Sequence, residues 1–490
     1  MKTQNSKIKE PTQEQLSIPN QQDTSRSYSV VTTWYDGTPM DDSKLDQWGI
    51  YIKNEDTGEY LRENKPLWGE IYSEIDTIAM LRSISLYNQY LLTIGYYKGV
   101  RLSGYWEKGD LPYTIDYRIA NTNVPDNGGN VIQAGTVKFV SQIASKIDVR
   151  FFGAKGDGVQ NDQPYIMNAI QTKTSTIYFP TPKVNYKIQG SLQMSNNQKL
   201  IGDNLYAKEQ ANDIKGLQGD GINPVIIMGF NGTDDRRLLC SINNLVVKNN
   251  GTGTCVRVQH CHNFSITNSR IHQTGTGKAV DVFFSYRANI SDNWIAGPYG
   301  LYAMDNVNGL TFESNTITGG TGGTAVCIGR SQGVWVQKNI IESSLKGILI
   351  SSTGTVEEGG DPNDGSCSGV RVDDNYIEAC GTPILIGKTY RVAGGTCIGN
   401  TMGNVAAGNP IPMSKMTGMI GLGRLDSFRV SNNYIDQKND VSIFDFWLPT
   451  AAVSMSQCDI VNNVLPTLPT TAPLIKFMGQ YGENKSIHRG

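Results

Sequence analysis

A short pattern recurs along the second half of this chain: an apolar residue, two variable positions, asparagine, one variable position and another apolar residue. Six clear copies and three degenerate copies begin, in chain order, at Ile242, Ile266, Ile290, Phe312, Val336, Val372, Cys397, Val430 and Ile460. Successive copies begin 22 to 36 residues apart. One repeat of this size cannot bury its own apolar face, so neighbouring repeats must stack into a solenoid.

Each copy predicts a short alternating strand, a tight turn that holds the asparagine, and a second short strand. Asparagine suits such a corner because it tolerates a left-handed backbone and hydrogen-bonds locally. A third apolar alternation lies upstream of several copies, for example at Ile348 and Ile350. We therefore predict an all-β protein, a parallel β-helix with three strands per coil. A leucine-rich repeat would need repeated Leu-x-x-Leu-x-Leu, which the chain lacks.

A more specific feature precedes the repeats. The segment 149–158 reads Val-Arg-Phe-Phe-Gly-Ala-Lys-Gly-Asp-Gly, and the sequence predicts an amphipathic helix at 164–171 with Asp162 as its N-cap. This order resembles the start of pectate-lyase-like right-handed β-helices, especially those of bacteriophage tailspikes. The resemblance covers residues 148–465, and it implies an N-terminal capping helix that closes the end of the solenoid.

The rest of the chain divides by composition. Residues 1–28 are polar and predict a flexible arm, and residues 466–490 predict a short C-terminal tail. Residues 29–147 are rich in aromatic side chains, with a helix expected at 73–90. This segment resembles the small β-rich module ahead of the solenoid in many tailspikes, which implies a mixed adaptor that attaches the body to a phage tail.

Composition narrows the partners. A net charge of −2 gives no reason to expect nucleic acid, and no apolar run reaches the ~18 residues of a membrane span. The N-terminus lacks the apolar core of a signal peptide, which favours a virion component. The eight scattered cysteines are expected to be buried thiols. His260 and His262 lack a ligand set around them, so we predict no metal and no cofactor.

A β-helix converts repeat offsets into columns of outward side chains, with neighbouring strands ~4.8 Å apart. The position after the last apolar residue of each copy holds Glu342 and Glu378 on consecutive coils. Two carboxylates that close raise the pKa of one of them, which can make an acid and a base from identical residues. The alternative is a solvated surface.

A second column lies one strand earlier and carries Trp335, Arg371 and Arg429. An exposed tryptophan beside arginines suits a sugar-binding groove, because rings stack on apolar sugar faces and arginine grips uronates or hydroxyls. Glu313 and Asp373 flank this column two coils apart, roughly 9–10 Å between backbones, which leaves room for a water and favours inversion. The alternative is that Trp335 packs under a loop and Arg371 only pairs with Asp373.

The insertion between Ser351 and Gly369 is the longest in the solenoid and carries four acidic residues among glycine and serine. Long loops on tight coils often form a wall of a cleft. Arg330, Tyr390 and Arg391 lie in the corresponding loops of neighbouring coils and are expected to line the same cleft.

The resemblance implies a tailspike-like protein, usually a homotrimer, that acts outside the cell on a capsular or O-antigen polysaccharide. We expect glycoside hydrolysis by a carboxylate pair drawn from Glu313, Glu342, Asp373 and Glu378. Polygalacturonases of this fold resemble one another in Gly-His-Gly and Arg-Ile-Lys motifs, which are missing here. A polysaccharide lyase with Arg371 or Arg429 as base, and a non-catalytic adhesin, remain as alternatives.

Overall fold

The computed structural model describes most of the solenoid and parts of the N-terminal region. The described residues are 28–31, 51–54, 60–62, 72–93, 95–141, 145–203, 214–229, 237–350, 366–403, 418–437, 439–447, 455–478 and 486–487. The chain divides into two compact units, residues 1–143 and 144–490. The predicted polar arm, apart from Tyr28, and the acidic part of the 351–369 insertion lie outside the described residues.

The N-terminal unit contains two sheets. A three-stranded antiparallel sheet has the strands Tyr28–Val31, Tyr51–Asn54 and Tyr60–Arg62. A five-stranded sheet has, in spatial order, the strands Tyr72–Ile75, Gly99–Leu102, Ile115–Ile119, Val137–Ser141 and Val131–Ala134. Its first two strands are parallel and the other pairs are antiparallel, which confirms a mixed sheet.

The helix expected at 73–90 is wrong as a single element. The segment begins as the strand Tyr72–Ile75 and continues as two helices, Ile78–Arg82 and Leu86–Thr93. Thr77 caps the first helix, since its hydroxyl accepts a hydrogen bond from the Met80 amide. Serine interrupts the helical pattern between the two because its hydroxyl competes for backbone groups. The Ser83 hydroxyl donates to the carbonyl of Ala79.

The solenoid starts with the strand Lys146–Asp148, the 3₁₀ helix Val149–Phe152 and the helix Gln163–Gln171. Gly153 ends the 3₁₀ helix at φ 101°, a conformation that favours glycine. Asp162 occupies the N-cap position of the helix, yet its side chain does not cap it. The carboxylate instead accepts hydrogen bonds from the amides of Lys155 and Gly156, at 2.7 and 3.1 Å, and so closes the glycine-rich turn.

Two long sheets form the solenoid. The first sheet contains Lys146–Asp148, Thr176–Phe179, Lys199–Gly202, Arg237–Leu238, Ser241–Asn243, Cys261–His262, Ser265–Thr267, Tyr286–Ser291, Val307–Glu313, Ser331–Gln337, Cys367–Asp373, Val392–Ile398, Leu425–Ser431 and Asp459–Val461. The second sheet contains Tyr186–Lys187, Leu192–Gln193, Leu217–Gln218, Ile226–Gly229, Val246–Asn249, Val256–Gln259, Arg270–Gln273, Lys278–Phe283, Trp294–Ala303, Thr316–Ile328, Ile340–Glu342, Lys346–Ile350, Tyr376–Glu378, Thr382–Ile386, Thr401–Gly403, Ile420–Leu422, Tyr434–Asp436, Phe444–Trp447, Val464–Thr467, Ile475–Met478 and Ser486–Ile487.

A typical coil contributes one strand to the first sheet and two to the second, as in Cys367–Asp373, Tyr376–Glu378 and Thr382–Ile386. In two coils the second-sheet strands are continuous, as Trp294–Ala303 and Thr316–Ile328. Strands on consecutive coils pair in parallel, and the final pair, Ile475–Met478 with Ser486–Ile487, is antiparallel. This arrangement confirms the predicted right-handed parallel β-helix with three strands per coil. The second sheet continues past residue 465, where the sequence repeat ends.

The apolar residues that open each repeat stack on one another inside the solenoid. The register joins Ile242, Ile266, Ile290, Phe312, Val336, Val372, Cys397, Val430 and Ile460 in one column. Ile266, Phe312 and Val372 are fully buried. Burying a side chain of this size contributes about 1.5–3 kcal/mol, so the column is a principal source of stability.

The repeated asparagines form a ladder along the interior of one corner. Each side-chain amide donates to the side-chain oxygen of the asparagine on the next coil, at 2.9–3.1 Å, through Asn293, Asn315, Asn339, Asn375, Asn400, Asn433 and Asn463. The expected left-handed backbone falls one residue earlier than predicted, at Lys338 rather than Asn339, for example. The asparagine faces inward because the preceding residue makes the turn.

The cysteines and histidines pack in the solenoid. Seven of the eight cysteines are buried, which confirms the expectation of buried thiols. His260 stacks on Phe284 with ring centroids 5.2 Å apart, and His262 meets the ring of Tyr286 at 4.7 Å. Within the part of the chain that the structure describes, no helix has the length and hydropathy needed to cross a membrane.

Candidate functional site

The outer face of the first sheet carries the two predicted columns in the predicted register. One column contains Asn289, Thr311, Trp335, Arg371, Thr396, Arg429 and Asp459. The other contains Ser291, Glu313, Gln337, Asp373, Ile398 and Ser431. Side chains that are 22 to 36 residues apart in the chain are therefore direct neighbours along the solenoid axis.

Trp335 and Arg371 are exposed neighbours on this face. Trp335 is 41% exposed, and the Arg371 guanidinium carbon lies 5.1 Å from the centre of its ring. A guanidinium over an indole face is a favourable cation–π contact, and it holds the ring in one orientation. The pair offers a flat apolar surface and a charged donor side by side, the two features that a sugar ring needs.

Glu313 and Asp373 lie in the second column with Gln337 between them. The register pairs Glu313 with Gln337 and Gln337 with Asp373, so the acids are two strand spacings apart, roughly 9–10 Å between backbones. The Gln337 side-chain amide donates to Glu313 Oε2 at 2.8 Å. Glu313 is half-buried, and this bond ties its carboxylate to the neighbouring coil.

Asp373 has a different environment. Its carboxylate is half-buried and accepts hydrogen bonds from the next coil, from the Thr396 hydroxyl at 2.9 and 3.0 Å and from the Ile398 amide at 3.1 Å. Partial burial raises the pKa of Asp373, and the bond from Thr396 offsets part of that rise. One column therefore holds two acids with different hydrogen-bond partners.

The alternative pair lies on the second sheet, beyond the asparagine corner. Glu342 and Glu378 are register partners on consecutive coils, which confirms their predicted juxtaposition. The Tyr376 hydroxyl donates to Glu378 Oε2 at 2.8 Å, and this bond is the main cause that raises the pKa of Tyr376. Glu378 is exposed and Glu342 is half-buried.

The remaining predicted residues are Arg429, which belongs to the column of Trp335, and Arg330, Tyr390 and Arg391, which lie outside both columns. Arg330 is half-buried, and one guanidinium nitrogen lies 3.9 Å from Asp305. Arg391 pairs with Asp426, and Arg429 donates to the Ser431 hydroxyl at 3.2 Å.

Arg330 and Arg391 occupy the position just before the first-sheet strands of their coils, and Tyr390, half-buried, is one residue earlier. They therefore lie at the other end of these strands from Asp373. No group of three or more His, Cys, Asp and Glu side chains in the described ranges is arranged to hold a metal ion.

Three contributors to the site had no predicted role from the sequence: Thr396, Gln337 and Tyr376. Thr396 follows Arg371 in its column, and Gln337 separates the two acids, so their positions were readable from the repeat. Tyr376 follows the ladder asparagine of its coil, where Trp294, Ile340 and Tyr434 stand in other coils. The repeat offsets predict which residues share a column, but they do not predict which side chains hydrogen-bond to one another.

Comparisons with known proteins support the architecture. The sequence profile of the family "Rhamnogalacturonase A/epimerase, pectate lyase-like" matches residues 146–349, less than half of the chain. A comparison with curated proteins gives no match. The chain therefore contains a pectate-lyase-like right-handed parallel β-helix, as the sequence predicted.

Solved structures with a similar trace include phage proteins and an adhesin. The Acinetobacter baumannii phage AM24 tailspike is 14% identical, with a TM-score of 0.49 over 83% of this chain and 64% of that one. The E. coli bacteriophage HK620 tailspike is 12% identical, with a TM-score of 0.49 over 72% and 69%. The adhesin PfbA of Streptococcus pneumoniae is 12% identical, with a TM-score of 0.43 over 68% and all of that chain.

This chain therefore spans less than two thirds of the first of these tailspikes. At such identity a likeness concerns architecture alone and does not identify side chains that act.

Proposed function

We propose that this chain binds and cleaves a bacterial surface polysaccharide, of the capsule or O-antigen, by glycoside hydrolysis. The observation that carries the proposal is the column Glu313–Gln337–Asp373, two acids in contrasting environments beside an exposed tryptophan–arginine pair. The family profile on residues 146–349 names enzymes of polysaccharides, which supports the same substrate class.

In the proposed reaction Asp373 is the general acid. Its raised pKa keeps it protonated closer to neutral pH, so it can give a proton to the leaving glycosidic oxygen. Glu313, held by the Gln337 amide, takes a proton from a water that attacks the anomeric carbon from the opposite face. The separation of two strands leaves room for that water, which suits inversion of configuration.

Trp335 and Arg371 bind the polymer next to these acids. The indole face stacks on the apolar face of a sugar ring, and the guanidinium donates to a hydroxyl or carboxylate of the neighbouring unit. Because the column runs along the solenoid axis, the polymer would lie across consecutive coils. Arg429 and, at the other end of the strands, Arg330, Tyr390 and Arg391 would contact more distant units of the same polymer.

The test is incubation of the purified protein with capsular and O-antigen polysaccharides from a panel of bacteria. New reducing ends, without the ultraviolet absorbance of an unsaturated uronate, are expected from the unchanged protein. Asp373→Asn and Glu313→Gln should remove cleavage and keep binding. Glu342→Gln and Glu378→Gln are the matched carboxylate variants on the other sheet.

Two other outcomes would redirect the proposal. Absorbance that rises together with reducing ends would identify a lyase, and Arg371 or Arg429 would become the candidate base. Binding without cleavage of any polymer would identify an adhesin that uses the same face.

The tailspike resemblance implies a homotrimer that is attached to a phage tail through the N-terminal module. The mass of the protein in solution would check the homotrimer.

A further inference from the structure

The carboxylate of Asp373 is held by the coil that follows it. The Thr396 hydroxyl lies 2.9 Å from Oδ1 and 3.0 Å from Oδ2, so one hydroxyl contacts both oxygens. The Ile398 backbone nitrogen lies 3.1 Å from Oδ1. Oδ1 therefore has two partners from the next coil, and Oδ2 has the threonine hydroxyl.

The two partners differ in what they can do when Asp373 takes up a proton. A backbone amide can only donate, so Oδ1 must remain an acceptor. A hydroxyl both donates and accepts. In the free protein Thr396 can therefore donate to Oδ1 and accept from a proton on Oδ2. When that proton turns to a glycosidic oxygen, the bond from Thr396 to Oδ1 remains.

We infer that Thr396 is a positioning residue for Asp373, which directs the acidic proton to Oδ2 and holds the carboxyl group for transfer to the glycosidic oxygen. The inference rests on the proposed role of Asp373 as the general acid. Thr396 belongs to the column of Trp335 and Arg371, next to Arg371 on the following coil, so the polymer would pass directly over it.

Other charged or titratable groups around Asp373 are few in the described chain. Arg371 on the same strand lowers its pKa and the adjacent Asp374 raises it. The Cys397 thiol lies on the following coil, and Glu313 is two coils back, beyond Gln337. Thr396 is the partner that can be changed without changing the charge of the site.

The experiment compares Thr396→Val with Thr396→Ser on the polysaccharide that the unchanged protein cleaves. Valine keeps the shape and removes the bond to the charged carboxylate, so the pKa of Asp373 should rise. A general acid works only while protonated, so the descending limb of kcat/KM should move to higher pH by about one pH unit. Serine should restore the original limb. Thr311→Val, in the same column three coils away, is the matched control and should leave it unchanged.

A uniform loss of rate with an unmoved limb, or a limb that serine does not restore, would overturn the inference. If no polymer is cleaved, the proposed function fails, and the Thr396–Asp373 coupling is measured by unfolding instead. When folding raises the pKa of a carboxyl group, the protein loses free energy of unfolding as the pH rises from the unfolded pKa, about 3.9, through the folded pKa.

Thr396→Val should enlarge that loss of stability. In a protein that already carries Asp373→Asn, Thr396→Val should not change the pH dependence of the free energy of unfolding. Equal pH dependence in the unchanged protein and in Thr396→Val would overturn the coupling itself.

Discussion

The asparagine ladder and the Glu313–Asp373 column are built on the same repeat, but they use it in opposite ways. Along the ladder one residue type recurs on consecutive coils, and every side chain makes the same bond to the next. Along the Glu313–Asp373 column each coil contributes a different residue, namely Glu313, Gln337, Asp373 and Ile398.

This difference separates stability from chemistry in a solenoid. Identical neighbours satisfy one another where water is excluded, and a single misfit interrupts the series on both sides. Unlike neighbours on the surface give each acid its own surroundings, which allows two carboxylates to take different roles. Substitutions in the ladder should therefore lower stability, and substitutions in the column should change activity.

The largest effect is expected in the ladder, from Asn339→Ala. The Asn339 side chain is buried and bonds to the Phe312 carbonyl, to Asn375 Oδ1 and to the backbone and side-chain nitrogens of Asn315. Its loss removes these four hydrogen bonds from a buried site, so the free energy of unfolding should fall by about 3–5 kcal/mol. Denaturant unfolding measures this.

Asn463→Ala is the control, because Asn463 is the last rung and is half-buried, where water can replace the lost bonds. It should lower the free energy of unfolding by about 1 kcal/mol. Equal losses at the two positions would contradict the view that the ladder gains its strength from burial.

The second effect is expected at Asp373. Asp373→Asn keeps the shape and removes the acidic proton, so kcat should fall by about 10²–10⁴-fold while binding persists. Asp374→Asn is the matched control, since Asp374 is exposed and is the left-handed residue of the same turn. Reducing-end assays and binding assays on both variants measure the difference. Full activity in Asp373→Asn would remove Asp373 from the mechanism.

The same contrast explains what could be predicted from the sequence. The fold was predictable because a ladder and its apolar columns need the same residue type at every repeat, which makes a visible period. Even the degenerate copy at Cys397 falls in register, because Asn400 keeps its place in the ladder. The outer columns followed from the same offsets.

The details that the sequence did not predict depend on which polar partner wins locally. Asp162 stands where a helix cap is expected, but the amides of Lys155 and Gly156 are nearer to its carboxylate. The bond from Thr396 to Asp373 joins residues on consecutive coils, where side-chain rotamers decide the partner. The secondary-structure propensities of the residues do not predict which hydrogen-bond partner a polar side chain takes.

A third and smaller effect is expected at Trp335. Trp335→Ala removes the stacking surface for a sugar and the ring on which the Arg371 guanidinium packs. The dissociation constant of the polymer should therefore rise by up to about tenfold. Ile340→Ala is the control, because Ile340 is 43% exposed, close to the 41% of Trp335, but lies on the second sheet. Titration calorimetry compares them. An equal loss at Ile340 would extend the binding face across the asparagine corner.

The smallest effect is expected from Glu378→Gln, and it decides between the two carboxylate pairs. Glu378 is exposed and accepts a hydrogen bond from the Tyr376 hydroxyl. The side-chain oxygen of glutamine can accept the same bond, so kcat should stay within about threefold. Glu342 and Glu378 are one strand apart, roughly 4.8 Å between backbones, a spacing nearer to that of retaining enzymes. A hundredfold loss in Glu378→Gln, with a product whose anomeric configuration is retained, would move the chemistry to the second sheet and leave the Asp373 column as a binding surface.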